Sequence, residues 1–588
     1  AVGYSALGVN TTGAYNVAQG YQALQNNTTA SNNVAVGRQA LRVNTTGTSN
    51  VAVGALALDS NTTASNSTAV GYFALSANTT GTTNTGLGTY ALYANTTGDS
   101  NVAVGFQAGF SNTVGTWITA LGYKSLYSAT AGPNIGLGYE AAYNTTTGSN
   151  NVALGPYRAL YSNTTGNSNV AIGRDALNAN TTASNNTAVG YQAGYSNTTN
   201  VGGMTAVGSQ ALYSNTTGIA NVAVGGVDSY NGVNAALYSN STGGYNTAVG
   251  SAAATANTTG SFNVAIGRQA LAANTTASNN VAVGYLSGTG ITTGEFNTSV
   301  GGESLVSVAG SWNTAIGRRA LNSNTAAANT AVGGTSLYLN TSGTGNTALG
   351  YAALFTNTNA SNNTAVGYQA GYTANSGNGV TAFGYQAMYS NTSGDATAMG
   401  YKALFGNTTG TQNTAHGYEA LRDNTTGGYN TAVGAFALQV ATTGSYNTAV
   451  GRAALDVLTS GIQNSALGAG ALGAVTTGNN NVGLGVGAGG GTTTGGSNVA
   501  IGISALGSNT TGGANIAIGQ DTLYYNTADY NTAVGHNAMV ANTSGTQNVA
   551  FGAFALDANT TANNNTAVGY ASLGANTTGA SNVALGVN

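Results

Sequence analysis

A 17-residue motif recurs about thirty-five times along this chain, so the chain reads as a one-dimensional array of equivalent units, not as a globular domain. One unit spans Asn33 to Ser49: NVAVG, RQAL, RV, NTTG, TS. Its glycines fall at Gly20, Gly37, Gly54, Gly71, Gly88, Gly105 and Gly122, and the beat continues to Gly569 and Gly586 with slips of about one residue. A spacing this regular places each repeat on one geometrically equivalent coil of a stack.

Ordinary chains of 588 residues divide into roughly three or four domains, but no proline-rich linker, charge run or composition shift interrupts this one. One continuous array over residues 1–588 is therefore expected, with a loop insertion near 226–233. Charged residues are 4% and glycines number 90. Disorder would be the usual reading of such a composition, yet disordered chains have no reason to keep their apolar residues strictly periodic. Net charge is −3, and eleven scattered Lys and Arg form no stripe to neutralise phosphates, which argues against nucleic acid as a partner. No apolar run approaches the ~20 residues of a membrane span, so no membrane insertion is expected in this segment. Cysteine is absent, and that fits either redox compartment. The chain begins at Ala1-Val2-Gly3, partway through a repeat, and reads as a piece of a longer protein.

In Asn16-Val17-Ala18-Gln19-Gly20 and its copies, Val or Thr, then Ala, then usually Val, Ile or Leu precede the glycine. That pattern predicts a short strand with Ala on one face and the larger residues on the other. Glycine then turns the chain, and Tyr21 to Leu24 is expected to form a second strand of the same coil. Asn-Thr-Thr-Gly, as at Asn44 to Gly47, is turn chemistry and predicts the second reversal. A further Asn opens most repeats (Asn33, Asn50, Asn101), and stacked Asn side chains are expected to hydrogen-bond along the array. A unit this rich in Gly, Asn and Thr holds no helix pair, so the fold class is all-β. One coil is too thin for a full core, and apolar residues on both strand faces imply that one face packs against a neighbouring chain.

The NTAVG and NVAVG runs followed by YxAL resemble the head repeats of YadA-like trimeric autotransporter adhesins, and similar arrays resemble regions of phage tail fibres. Matching copies include Thr187-Ala188-Val189-Gly190, Ala265-Ile266-Gly267 and Ala500-Ile501-Gly502. The resemblance implies a left-handed parallel β-roll or β-solenoid joined as a homotrimer or other multichain fibre. It also implies an extracellular place on a bacterial surface, or on a virion tail, with a host-cell, matrix or glycan surface as partner. The coil here is longer than the family's usual one, with the extra residues in the Asn-Thr-Thr-Gly turn, and no coiled-coil stalk or membrane anchor is present.

A catalytic reading needs converging acids, bases or ligands, and none converge in the sequence, so neither an enzyme nor a cofactor is expected. His416 and His536 lie more than a hundred residues apart, and the fourteen carboxylates are dispersed. Tyrosine, at 33 residues, recurs after the glycine (Tyr72, Tyr191, Tyr401) and after the Leu or its Met substitute (Tyr93, Tyr161, Tyr213, Tyr389). Such columns either stack on sugars or another surface, or only cover strand edges. The turns match N-x-S/T acceptors, which makes Asn44, Asn78, Asn95, Asn215, Asn407 and Asn576 candidate glycan carriers facing solvent. Asp228, Ser229, Tyr230 and Asn231, in the overlong repeat, form a candidate binding loop, because solenoid insertions map to one face. The functional expectation is a structural or adhesive extracellular fibre; the alternatives are a phage tail fibre and an ice-binding solenoid.

Overall fold

The computed structural model describes residues 1–199, 202–307, 310–375, 377–392 and 395–587. It forms two compact units, Ala1–Ser299 and Val300–Asn588, each of them a parallel β-solenoid. Thirty-four strands and no helix occur among the described residues. Most strands are three residues long, as at Val17–Gln19, Val34–Val36 and Val51–Val53; the longest are Asn134–Tyr139 and Asn151–Tyr157.

Pairing is in register with the repeat. Ala18 faces Ala35, Ala35 faces Ala52, and in the second unit Ala432 faces Ala449. The strand alanine is sealed inside (Ala35, Ala52 and Ala432 are fully buried), while its Val or Thr neighbours are half-buried or exposed on the outer face. This position takes only small residues, Ala in most coils and Gly86, Gly483 or Ser299 in others, because the opposite wall is close: Ala40 and Leu41 are also fully buried, as are Asn33 and Asn44.

The segment after the glycine is not a strand, which corrects the expectation for Tyr21 to Leu24. Gln22 and Leu24 have φ of 58° and 49°, and Gln39 and Leu41 have 58° and 50°, so alternate residues are left-handed. A left-handed residue costs a side-chain-bearing position roughly 1 kcal/mol or more. Two gains offset that cost. Successive amides point to opposite neighbours: the Gln39 amide donates to Tyr21 O one coil back (2.8 Å), and the Leu41 amide to Ala57 O one coil on (3.0 Å). Alternation also lets the adjacent side chains Ala40 and Leu41 both enter the core, whereas an extended strand would send them to opposite faces.

The repeat glycine is left-handed in a different sense. Gly37 has φ of 137°, a region that side chains rarely enter, and a β-carbon there would run into the next coil's backbone. In the Asn-Thr-Thr-Gly turn, the amides of Thr45 and Thr46 and the hydroxyl of Thr45 all converge on Thr62 O, at 2.9, 3.3 and 3.0 Å.

Two ladders of asparagine replace an apolar filling on this side of the coil. In the turn ladder, each Nδ2 donates to the previous coil's Oδ1 and to its own turn's carbonyl; for Asn61 these are Asn44 Oδ1 at 2.8 Å and Ala64 O at 3.1 Å. In the strand ladder, Asn50 N donates to Asn33 Oδ1 (2.9 Å) and Asn50 Nδ2 to Ala64 O (2.8 Å). Buried amides cost free energy unless every donor and acceptor is paired, and identical residues in register pair automatically. Where the turn ladder stops, it leaves a carbonyl oxygen without a protein donor. Asn112, Asn274, Asn357 and Asn424 all show this, and the next coil there carries Ala129, Ile291, Ala374 and Ala441.

Candidate functional site

The six turn asparagines do not share one environment. Asn44, Asn78, Asn95, Asn215 and Asn407 are fully buried, which corrects the expectation that they face solvent. Both hydrogens of each Nδ2 are used: Asn44 donates to Asn27 Oδ1 and Gly47 O (both 3.0 Å), and Asn407 to Asn391 Oδ1 (2.8 Å) and Gly410 O (3.0 Å). Asn78, Asn95 and Asn215 repeat the pattern at 2.8–3.2 Å. A sugar on any of these nitrogens requires the ladder to open. Asn576 differs, because it is only half-buried and its Nδ2 donates to Gly579 O alone (2.9 Å). What the turns present to water is the second threonine, exemplified by Thr46.

Asp228, Ser229, Tyr230 and Asn231 are brought together in a small hairpin. Asp228 N donates to Val233 O (2.9 Å) and Val233 N to Asp228 O (3.1 Å). The Asp228 carboxylate accepts from Asn231 Nδ2 (2.7 Å) and Asn231 N (3.2 Å), and it faces Arg268 Nε at 3.8 Å. The Asn231 side chain, then its amide and the Arg268 charge, hold this carboxyl below the usual aspartate range. Tyr230 stands at the tip, 96% exposed, and Ser229 and Asn231 are exposed beside it.

The tyrosines form stacked columns. In the first unit Phe106, Tyr123, Tyr139 and Tyr157 stack at 5.0–5.5 Å, beside Tyr93, Phe110, Tyr127, Tyr143 and Tyr161 at 4.9–5.4 Å. The second unit repeats the pair with Tyr351, Tyr368, Tyr385, Tyr401 and Tyr418 beside Tyr338, Phe355, Tyr372, Tyr389 and Phe405. Each interior ring has both faces covered by its neighbours in the column. Sugars stacking on ring faces therefore have no access along the columns, and the rings turn edges and hydroxyls to the outside.

The outer strand face carries a row of exposed apolar side chains. Ile135, Leu137 and Leu154 represent it in the first unit; Leu349, Phe383, Met399, Leu467 and Leu484 do so in the second, at 38–51% exposure. Leu467 and Leu484 border a shallow cleft of about 250 Å³ with Val450 and Val482. His416 lies in this same row, paired in register with Met399 and Val433. Periodicity alone signalled the row, since Val or Thr and Val, Ile or Leu flank most strand alanines. The left-handed positions went unread in the sequence, although Gly109, Gly194, Gly288, Gly371 and Gly489 stand where other repeats have Leu, all with φ near 60°. A position shared by Leu and Gly is the mark of that conformation.

Among the described residues, no group of three His, Cys, Asp or Glu is placed to hold a metal ion, and no helix is long and apolar enough to cross a membrane. Comparison with protein-family models gives no match for this chain, and comparison with curated proteins gives none either.

Proposed function

We propose that this chain is the repeat body of an extracellular multichain fibre that adheres to other surfaces, as the head or shaft of a bacterial surface adhesin. On this reading the repeats form one continuous array that serves contact and not catalysis. The observation that carries this reading is the apolar row on the outer strand face. Each half-exposed Val, Ile or Leu there loses about 1 kcal/mol of burial free energy to water, and the loss recurs at most coils. A second copy has the same coil spacing, so its row meets this one in register along the whole contact. Three copies, in a left-handed β-roll, follow from the resemblance to the YadA-like heads; the tail-fibre reading shares this assembly. Ice binding wants a flat, uniform rank, and here Phe383, Met399, His416 and Val433 follow one another in it.

Light scattering of the whole chain tests the assembly. The expected mass is a multiple of 57.5 kDa. Leu467→Glu with Leu484→Glu should lower it without changing the circular dichroism, and a wild-type chain that stays monomeric at every concentration would falsify the multichain fibre. Attachment of the folded chain to cells tests adhesion.

A further inference from the structure

The chain contains two lysines, Lys124 and Lys402, one in each compact unit, and both occupy the same place in the coil. Each is the second residue after the repeat glycine, a left-handed position with φ of 50° and 49°. The residues before and after it in the column also match. Gln107, Lys124 and Glu140 follow one another in successive coils, and so do Gln386, Lys402 and Glu419. Two of the chain's four glutamates are used in this way. In an array where only 4% of residues are charged, the same Gln–Lys–Glu column arises twice.

Both lysines project between the paired aromatic columns. Lys124 Nζ lies 5.3 Å from the Tyr123 ring centroid and 5.7 Å from that of Tyr127. Lys402 Nζ lies 5.5 Å from Tyr401 and 5.3 Å from Phe405. The glutamate one coil on does not neutralise the lysine, because it is turned to an arginine: Glu140 to Arg158 Nε and Glu419 to Arg422 Nη1, both at 2.8 Å. All cations within 4.0 Å of a carboxylate among the described residues are arginines, so the two ammonium groups keep their charge available.

We propose that Lys124 and Lys402 are the centres of two equivalent binding sites for a carboxylate-bearing sugar chain of the uronic-acid type. This deepens the adhesive reading and rests on it. The ammonium supplies a charge-assisted hydrogen bond to the sugar carboxylate. Around it, stacking hides the negative faces of the rings and leaves their positive edges outward, with phenol hydroxyls to bond sugar hydroxyls. The Gln107 or Gln386 amide lies one coil away. A linear sugar chain advances per residue by a distance close to the separation of neighbouring coils, so successive sugars meet successive rings. Two sites on one chain add avidity on a polymeric ligand.

The test uses the full chain and oligogalacturonate, with the fully methyl-esterified oligomer as the uncharged control, in isothermal titration calorimetry at low salt. Binding of the acid form is expected to be about tenfold or more tighter than of the ester. Lys124→Gln or Lys402→Gln should each remove one of two sites, and the double variant should lose the preference for the acid. Both lysines are partly exposed, and circular dichroism verifies that the variants fold. Arg452→Gln, which removes a cation elsewhere, should leave binding unchanged. Equal binding of acid and ester, no binding of the acid by the wild type, or an undiminished preference in the double variant would overturn the proposal. Cell attachment measured on the same samples separates the two readings: attachment that ignores both lysines overturns this site alone, whereas no attachment by any folded form overturns adhesion as well.

Discussion

A β-carbon built on Gly37 would lie 2.5 Å from the carbonyl oxygen of Gly54, one coil further on. The same contact recurs up the stack, with Gly54 against Gly71 O at 2.5 Å and Gly434 against Gly451 O at 2.5 Å. Spacing between coils and the absence of a side chain are therefore one fact: the coils approach until backbone meets backbone at the glycine. No larger residue permits the strand hydrogen bonds on one side of this point and the turn hydrogen bonds on the other.

Gly37→Ala is expected to destabilise its own coil and the next by about 2–3 kcal/mol, through a φ of 137° that Ala resists and a backbone clash that cannot relax. Gly232→Ala is the control. Its φ is 64° and nothing lies within 4 Å of the added carbon, so roughly 1 kcal/mol is expected there. Hydrogen exchange read coil by coil measures both, since a solenoid need not unfold in one step. Equal losses of protection at the two positions would refute the packing argument.

Asn61→Ala is expected to cost at least about 2 kcal/mol, because it removes the acceptor of Asn78 Nδ2 (3.1 Å) and the donor to Asn44 Oδ1 (2.8 Å) inside a dry core. The converse change should stabilise. Ala374→Asn places a donor against the unpartnered Asn357 Oδ1, for an expected gain of about 1 kcal/mol. Consecutive coils at Ala441, Leu458 and Val475 already fill the same column with apolar groups, so nothing within the run needs a partner, and the orphans fall at its two ends, Asn424 Oδ1 and Thr492 Oγ1. Thermal melting of the two variants against wild type decides the matter, and a neutral Asn61→Ala would sink it.

Burial pushes the Asp456 carboxyl above the usual aspartate range, against the opposing pull of its own amide and that of Val457. An acid with a raised folded pKa binds its proton more tightly in the folded state, so its contribution to stability falls as pH rises through the window above the unfolded value near 4. Asp456→Asn should therefore raise the melting temperature at pH 7, and its advantage should vanish at about pH 3, below the unfolded value. A variant less stable than wild type at pH 7 would show that the backbone hydrogen bonds outweigh desolvation.

Much of this molecule is legible in one dimension. The 17-residue period, the strand at each Val-Ala-Val or Thr-Ala-Val, the inward alanine and the in-register asparagines all follow from the repeat, because identical neighbours leave stacking as the only consistent arrangement. The insertion around Asp228 to Asn231 was legible as well, as a count of residues too many for one coil, though its hairpin form was not. Three things were decided only by tertiary structure. The residues Tyr21 to Leu24 look extended in sequence, yet closing the coil requires Ala23 and Leu24 on the same side, and left-handed alternation is what achieves it. Asn44 and its equivalents read as surface turn residues, but the stack supplies each amide with partners in the coils on either side, and that pairing makes their burial tolerable. In sequence the tyrosine columns either stack on ligands or only cover strand edges; the approach of coils to about 5 Å presses each ring onto the next and leaves only edges outside. Local propensity describes one coil; the contacts between coils exist only once the chain is stacked, and they settle which groups end inside.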